Sequence, residues 1–321
     1  MKTKNVLITL FFLFTNGFVY AQSASLHGQL HVDGIQLKDK NNKPVILHGM
    51  SFGWHNWWPR FYNTGVVEWL HKDWKCSVVR AAMGVEPANG YIDKPQASME
   101  KIKAVADAAI KEGIYVIIDW HSHNIRLTEA KQFFTEMAQA YGKYPNVIYE
   151  IFNEPDYETW KEVKDYSIEI IKTIRAIDTD NIILVGNPHW DQDINLVADD
   201  PINGFNNIMY TVHFYAATHK QSLRDRCEYA LNKAIPIFIS ESAGMEASGN
   251  GGIDSTEWNR WVEWAESKKI SWVSWSVSDK DETCSVLLPS ANSNGGWKEK
   301  DLKESGIKTR ELIRKYAASD K

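Results

Sequence analysis

The chain has 321 residues and a formal charge of −5, from 36 basic and 41 acidic side chains. That mildly acidic balance excludes a nucleic-acid partner, which needs a concentrated basic face, and suits a neutral or weakly charged one. Its three cysteines, Cys76, Cys227 and Cys284, match no metal-binding spacing and leave at least one thiol unpaired, so stability must come from a large core, with one bridge or three free thiols both open.

In chain order, Lys2 and Lys4 precede an uninterrupted apolar run, Val6 to Phe14, and Val19-Tyr20-Ala21 follows as a small-residue cleavage pattern. Residues 1–21 therefore read as a secretory signal peptide, too short to stay in a bilayer as a spanning helix. The mature chain is expected to start near Gln22 and to be extracellular. No later stretch has the ~18 consecutive apolar residues that a membrane helix needs, so no membrane association is expected of the mature form. Residues 22–321 read as a single domain.

Residues 29–46 predict a short hairpin, with its turn at Asp39-Lys40-Asn41-Asn42-Lys43. Eight apolar, β-branched runs then alternate with amphipathic stretches. The expected strands are Val45–Met50, Ser77–Met83, Tyr115–Asp119, Val147–Phe152, Ile182–Val185, Ile208–His213, Ile235–Ser240 and Ile270–Trp275. Between them, Met99, Ile102, Val105, Ala109 and Ile110 share one helical face, and Val163, Tyr166, Ile170 and Ile174 share another. A last helix is expected around Leu302–Tyr316. Near-continuous apolar strands belong to parallel sheets covered on both faces, and eight right-handed βα units can close into a (β/α)₈ TIM barrel. The rival, a doubly wound open sheet, lacks a Gly-rich phosphate fingerprint after the first strand.

Polar and aromatic residues gather where these strands end, the face on which such barrels build their sites. Arg80, Asp119, His121, Asn153, Glu154, His213, Tyr215, Glu241 and Trp275 all lie there. Glu154 and Glu241 each follow a strongly apolar strand, where a charge is costly unless it is used or compensated. Singly, either could be a carboxylate salt-bridged to a group such as Arg80. Together, across the barrel mouth, they suit glycoside hydrolysis, in which one carboxyl protonates the leaving oxygen and the other attacks the anomeric carbon. His213 and Tyr215, two apart on an extended segment, share a face, as do Asp119 and His121. A zinc site from His121, His123 and His213 has no H-E-x-x-H or comparable spacing behind it, and neither metal nor cofactor is expected. A serine nucleophile from Ser240 or Ser242 with His213 lacks a G-x-S-x-G elbow. The chain also holds 14 tryptophans, many in Gly- or Pro-punctuated segments, where an indole can stack on the apolar face of a pyranose.

In order, Val45-Ile46-Leu47-His48-Gly49-Met50-Ser51, Val79-Arg80, Asp119-Trp120-His121, the segment Tyr149 to Pro155, Val212-His213-Phe214-Tyr215, Ser240-Glu241 and Trp275-Ser276 resemble glycoside hydrolase family 5, the cellulase A type. The resemblance implies a retaining double displacement with Glu154 as acid/base and Glu241 as nucleophile. It implies that Asn153 holds the sugar 2-hydroxyl, that Arg80 and Tyr215 border Glu241, and that His213 sits near Glu154. His121 would contact the sugar beside the cleavage point, and Trp275 would be the aromatic floor. Two stretches resemble the bacterial endoglucanase branch: Trp275 to Glu282, with Lys280 and Glu282 on a glucose hydroxyl, and Gly186-Asn187-Pro188-His189-Trp190, with Trp190 stacking on the leaving-group side. The first loop, Phe52-Gly53-Trp54-His55-Asn56-Trp57-Trp58, departs from that pattern. Trp54 and Trp57 are assigned to stacking at the other end of the cleft. The implied activity is endo-β-1,4-glucan cleavage by a monomer. The same pair also serves enzymes acting on mannan, xyloglucan or mixed-linkage β-glucan, and a carbohydrate-binding barrel without turnover is the reading from another class.

Overall fold

The computed structural model describes residues 26–318, and the signal-peptide expectation lies outside them. The described chain opens with a hairpin, β1 (His31–Asp33) paired antiparallel with β2 (Gln36–Lys38). Its turn is at Gly34-Ile35, with Gly34 at φ 60°, not at Asp39–Lys43 as expected. The latter is a second turn, in which the Asp39 carboxylate accepts from the backbone N–H groups of Asn41 at 2.7 Å and Lys43 at 2.8 Å. An aspartate that satisfies its own turn in this way reads like a hairpin loop in sequence. Val45 leaves it to bond back to Leu37 at 2.9 Å, so the first barrel strand begins later than expected.

Eight parallel strands follow: β3 (His48–Phe52), β4 (Val78–Gly84), β5 (Tyr115–His121), β6 (Val147–Glu150), β7 (Ile182–Val185), β8 (Ile208–Tyr215), β9 (Ile237–Ala243) and β10 (Trp272–Val277). They close in sequence order, β10 pairing back to β3, which is the expected barrel. Helices wrap it: α1 (Thr64–Trp69), α2 (Pro95–Glu112), α3 (Leu127–Tyr141), α4 (Trp160–Arg175), α5 (Pro188–Asp191), α6 (Ile194–Asp199), α7 (Gln221–Asn232), α8 (Ser255–Lys268) and α9 (Glu304–Ala317). Val163, Tyr166, Ile170 and Ile174 are the buried face of α4, whose start is set by a reciprocal Thr159–Glu162 capping box.

Several strands run one to three residues past their expected ends, because polar residues continue the ladder: Ala82 pairs with Asp119 and Gly84 with His121. β6 is shorter, stopping at Glu150 before the segment that carries Asn153 and Glu154. The strand period of two then sorts the barrel interior into layers. Val78, Ile117, Ile148, Leu184, Met209, Phe238 and Val273 form an apolar lower layer, closed from below by Leu30, Leu37, Val45 and Leu47 of the hairpin region. One step further up, the inward positions become Arg80, Asp119, Glu150 and Thr211, and His213 lies one step above Thr211. This apolar plug closes the barrel beneath a charged layer.

Cys76, Cys227 and Cys284 are all buried and unbridged, which decides for three free thiols. Among the described residues no helix is long and apolar enough to cross a membrane.

Candidate active site

Arg80 organises the charged layer. Fully buried, it donates from Nε to Glu150 at 2.6 Å, from Nη2 to Asn153 Oδ1 at 2.6 Å and from Nη1 to Glu241 at 3.0 Å. Its Nη2 also lies 3.0 Å from Asp119. A rigid planar fork can grip several acceptors at fixed angles, which a lysine cannot. Burial works against the Glu150 carboxylate, yet Arg80 and His213, whose Nε2 is 3.7 Å away, hold it down at about 2. Asp119, by contrast, is pushed well up by burial despite Arg80. It touches His121 Nδ1 at 2.7 Å, and burial together with Arg80 keeps that imidazole neutral.

Glu241 accepts from Arg80 on one oxygen and from the Tyr215 hydroxyl on the other, at 2.7 Å. Burial and the facing Glu154 raise its carboxyl, against His213, Arg80 and Tyr215. When Glu154 carries a proton its repulsion vanishes, and the two donors favour the carboxylate. Burial and the nearby Glu241 charge hold the Tyr215 phenol well above its ordinary range, so it stays a donor.

Glu154 stands opposite, its side chain 14% exposed, with Oε1 2.8 Å from His213 Nδ1. Burial raises Glu154, and a protonated His213 more than reverses this. One carboxylate oxygen of Glu154 and one of Glu241 lie within 4.8 Å of each other. Asn153 has its Oδ1 on Arg80, while its buried Nδ2 has no partner among the described residues; it is a donor left for a ligand.

Two contiguous hollows, of about 260 Å³ and about 410 Å³, share Glu154, His123, Tyr215 and Ala247. Trp54, Trp57, Trp275, Lys280 and Glu282 line the first, and Trp190 lines the second. Trp275 lies flat on His121, centroids 5.1 Å apart and planes 6° from parallel, while Trp54 meets His121 edge-on at 4.3 Å. Gly84 makes room for that edge: a Cβ there would sit 2.8 Å from Trp54 Cε3. Trp57, half exposed, packs 4.9 Å from Trp54, and Lys280 is ion-paired with Glu282.

Trp190 is held out by an unusual turn in α5. His189, Trp190 and Asp191 are consecutive non-glycine residues at φ 54°, 55° and 60°, a conformation that costs on the order of 1–2 kcal/mol per residue. The turn aims Trp190 at solvent, 37% exposed, and Asp191 at the interior, fully buried. Tyr157 meets Trp190 edge-on at 5.8 Å.

Trp54, Trp57, His121, His123, Glu154, Trp190, His213, Tyr215, Glu241, Trp275, Lys280 and Glu282 thus line the two hollows, while Arg80, Asp119 and Asn153 lie fully buried behind them. Of the three histidines weighed as metal ligands, His121 lies on Asp119, while His123, at 3.7 Å, and His213 flank Glu154 from its two oxygens, His213 also reaching Ser240. Ser240 is fully buried and donates to Glu150 at 2.7 Å, so it is part of the support beneath Glu241 and presents no nucleophile to the cleft. Glu150, Trp58, Gln192, His219, Tyr157 and Asp191 escaped the sequence reading as site residues. Glu150 had a signal, an acid two positions after Ile148 in an apolar run. Asp191 had none, since only the left-handed turn carries it inward.

A sequence family model, cellulase (glycosyl hydrolase family 5), matches residues 38–281. The chain is 46% identical over 300 residues to an endoglucanase of Clostridium saccharobutylicum, covering 91% of this chain and 66% of that protein. It is 44% identical over 283 residues to endoglucanase A of Evansella cellulosilytica, covering 86% and 57% respectively. The chain therefore spans less than two thirds of these relatives' length. Among solved structures, one from Cytophaga hutchinsonii superposes with a TM-score of 0.90 at 44% identity, covering 92% of this chain and 97% of that one. The catalytic domain of Thermobifida fusca endoglucanase Cel5A superposes with a TM-score of 0.85 at 32% identity, covering 90% and 98%.

Proposed function

The chain belongs to glycosyl hydrolase family 5, and from that premise we propose that it is a retaining endo-β-1,4-glucanase in which Glu241 is the nucleophile and Glu154 the acid/base. The observation that carries this is the approach of the two carboxyl groups, oxygen to oxygen within 4.8 Å. So close an approach suits the ~5–5.5 Å class, where one carboxylate attacks directly.

Glu241 attacks the anomeric carbon while Glu154 gives its proton to the departing glycosidic oxygen, leaving a covalent glycosyl–enzyme. Glu154, now ionised, takes a proton from water, which attacks the same carbon and restores Glu241. Arg80 and Tyr215 keep Glu241 ionised and aim it. The unpaired Asn153 Nδ2 is placed to donate to the sugar 2-hydroxyl, a bond that strengthens as positive charge develops at the anomeric carbon. Sugars before the scissile bond stack along Trp275, Trp54 and Trp57, with Lys280 and Glu282 on hydroxyls. Trp190 takes a sugar of the leaving chain. The basic start, the apolar run and Ala21 support secretion with removal of residues 1–21, and N-terminal sequencing of the exported chain checks it.

The test is a panel of defined polysaccharides with product sizing. Early release of mixed-length oligosaccharides from soluble β-1,4-glucan, with retained anomeric configuration by NMR, is expected. Inverted products would overturn the mechanism, and a clear preference for mannan would overturn the substrate.

A further inference from the structure

Beneath the acid/base lies a carboxyl group that the reaction as described does not use. Asp191, fully buried, has Oδ2 3.3 Å from His213 Nε2, and Nδ1 of the same ring is 2.8 Å from Glu154. Counting donors settles where the protons sit. The Ser240 hydroxyl has one hydrogen and donates it to Glu150 at 2.7 Å, so its contact with His213 Nε2 at 2.9 Å must be donated by the ring. His213 therefore carries a proton on Nε2. Its Nδ1 and Glu154 then share one further proton, on either the carboxyl or the imidazole.

A second count concerns Asp191 itself. The Thr211 hydroxyl, also with one hydrogen, lies 2.6 Å from Asp191 Oδ2 and 3.2 Å from the Val185 carbonyl. That hydrogen goes to Asp191, the nearer acceptor, and so favours the carboxylate against the burial that favours the neutral acid. The other oxygen, Oδ1, accepts from Asn187 N–H at 2.6 Å.

We propose that Asp191 is a positioning residue acting through His213: as a neutral acid it leaves the shared proton on Glu154, and once ionised it draws that proton onto His213. The inference rests on the reading of Glu154 as acid/base. A carboxylate 3.3 Å from Nε2 stabilises the imidazolium, and the imidazolium stabilises ionised Glu154, the wrong state for protonating a leaving oxygen. No proton is created or lost in that transfer; the one lost to solvent is that of Asp191.

The surroundings agree. Burial pushes Asp191 up to about 8, against His213, Thr211 and Asn187. The other acids facing His213 are Glu150, Glu154 and Glu241, and Glu150, held at about 2, stays ionised throughout. Burial holds the neighbouring His121 well below its ordinary value and His219 at about 4, so neither gains charge near neutrality. Asp119 lies against Arg80 and His121. The sign follows: the reactive arrangement is present below the Asp191 pKa and is lost as pH rises through it.

The experiment is the pH profile of kcat and kcat/KM on cellopentaose, from about pH 5 to about pH 10, for the wild type, Asp191→Asn and Thr211→Val, each normalised to its own plateau. Asp191→Asn cannot ionise, and its alkaline limb is expected about one unit or more higher. Thr211→Val removes the hydroxyl that favours ionised Asp191 and is expected to move the limb in the same direction. An alkaline limb left in place by Asp191→Asn, with only the plateau lowered, makes Asp191 structural and overturns the proposal. Should Asp191→Asn fail to fold, a limb unmoved or lowered in Thr211→Val overturns it instead. A wild type that does not cleave cellopentaose at any pH defeats the reading of Glu154, a separate result.

Discussion

Arg80 holds Glu241 at 3.0 Å with the guanidinium whose Nε grips Glu150 at 2.6 Å. The proposed nucleophile is thus held by a cation that a second carboxylate, ionised down to about pH 2, fixes from below. Replacing Arg80 with Lys keeps a charge and loses the fork. With Glu150, Asn153 and Glu241 no longer all satisfied, a loss of about 3–5 kcal/mol in stability is expected, together with a fall in kcat. Urea unfolding and steady-state kinetics check both, and an Arg80→Lys protein of wild-type stability and rate would contradict this account of the cluster.

The two glutamates separate by substrate. Glu241→Gln is expected to lose about 10⁴-fold or more in turnover on every substrate, while still binding glucan. Glu154→Gln is expected to lose about 10²–10⁴-fold on cello-oligosaccharides, and far less in the first step on an aryl cellobioside whose phenol leaves without protonation. Burst kinetics on the aryl substrate make the comparison. Equal losses for Glu154→Gln on both substrates would remove its assignment as the acid.

Acid stability should report Glu150. Its folded-state pKa, depressed to about 2, lies below the unfolded value, so its contribution is complete above pH ~4.5 and is lost as pH falls through about 2. Complete loss amounts to about 3 kcal/mol. Urea midpoints between pH ~5 and pH ~2 should fall less steeply for Glu150→Gln than for the wild type, although the variant starts from a lower stability because Arg80 loses a partner.

Gly84 should tolerate no side chain. A methyl group there would sit 2.8 Å from Trp54 Cε3 and closer still to Asn56 Oδ1, so both side chains must shift, the indole against His121. Gly84→Ala is expected to cost about 1–3 kcal/mol and to raise KM for cellopentaose more than it lowers kcat. A variant with wild-type KM would show that Trp54 is not a sugar platform.

Trp190→Ala tests the leaving-group side. Loss of the stacking face is expected to raise KM on long cello-oligosaccharides about 3- to 10-fold, from about 0.5–1.5 kcal/mol. An aryl cellobioside, which places no glucose there, should respond little. Product patterns should shift toward cleavage nearer the reducing end, read by chromatography.

The alternating runs from Val45 to Trp275 were enough to name the barrel, because eight apolar strands between amphipathic helices have few ways to bury both faces. The polar ends of those strands singled out Arg80, Asn153, Glu154, His213, Tyr215 and Glu241 as candidates, because polar groups after an apolar strand are costly without a use. Strand alternation, however, allows only one of two adjacent residues to face inward. The register shift between Thr211 and His213, paired against Phe238 and Glu241, lets Ser240 and Glu241 both face the interior. The left-handed turn at 189–191 sends Trp190 outward and Asp191 inward. Both depend on backbone geometry set by packing between segments distant in sequence, which no local period records. Residue type and spacing therefore determined which groups could do the chemistry. Only the closed barrel decided that Glu154 and Glu241 stand within 4.8 Å, with Arg80 against Glu241, His213 against Glu154 and Asp191 behind His213.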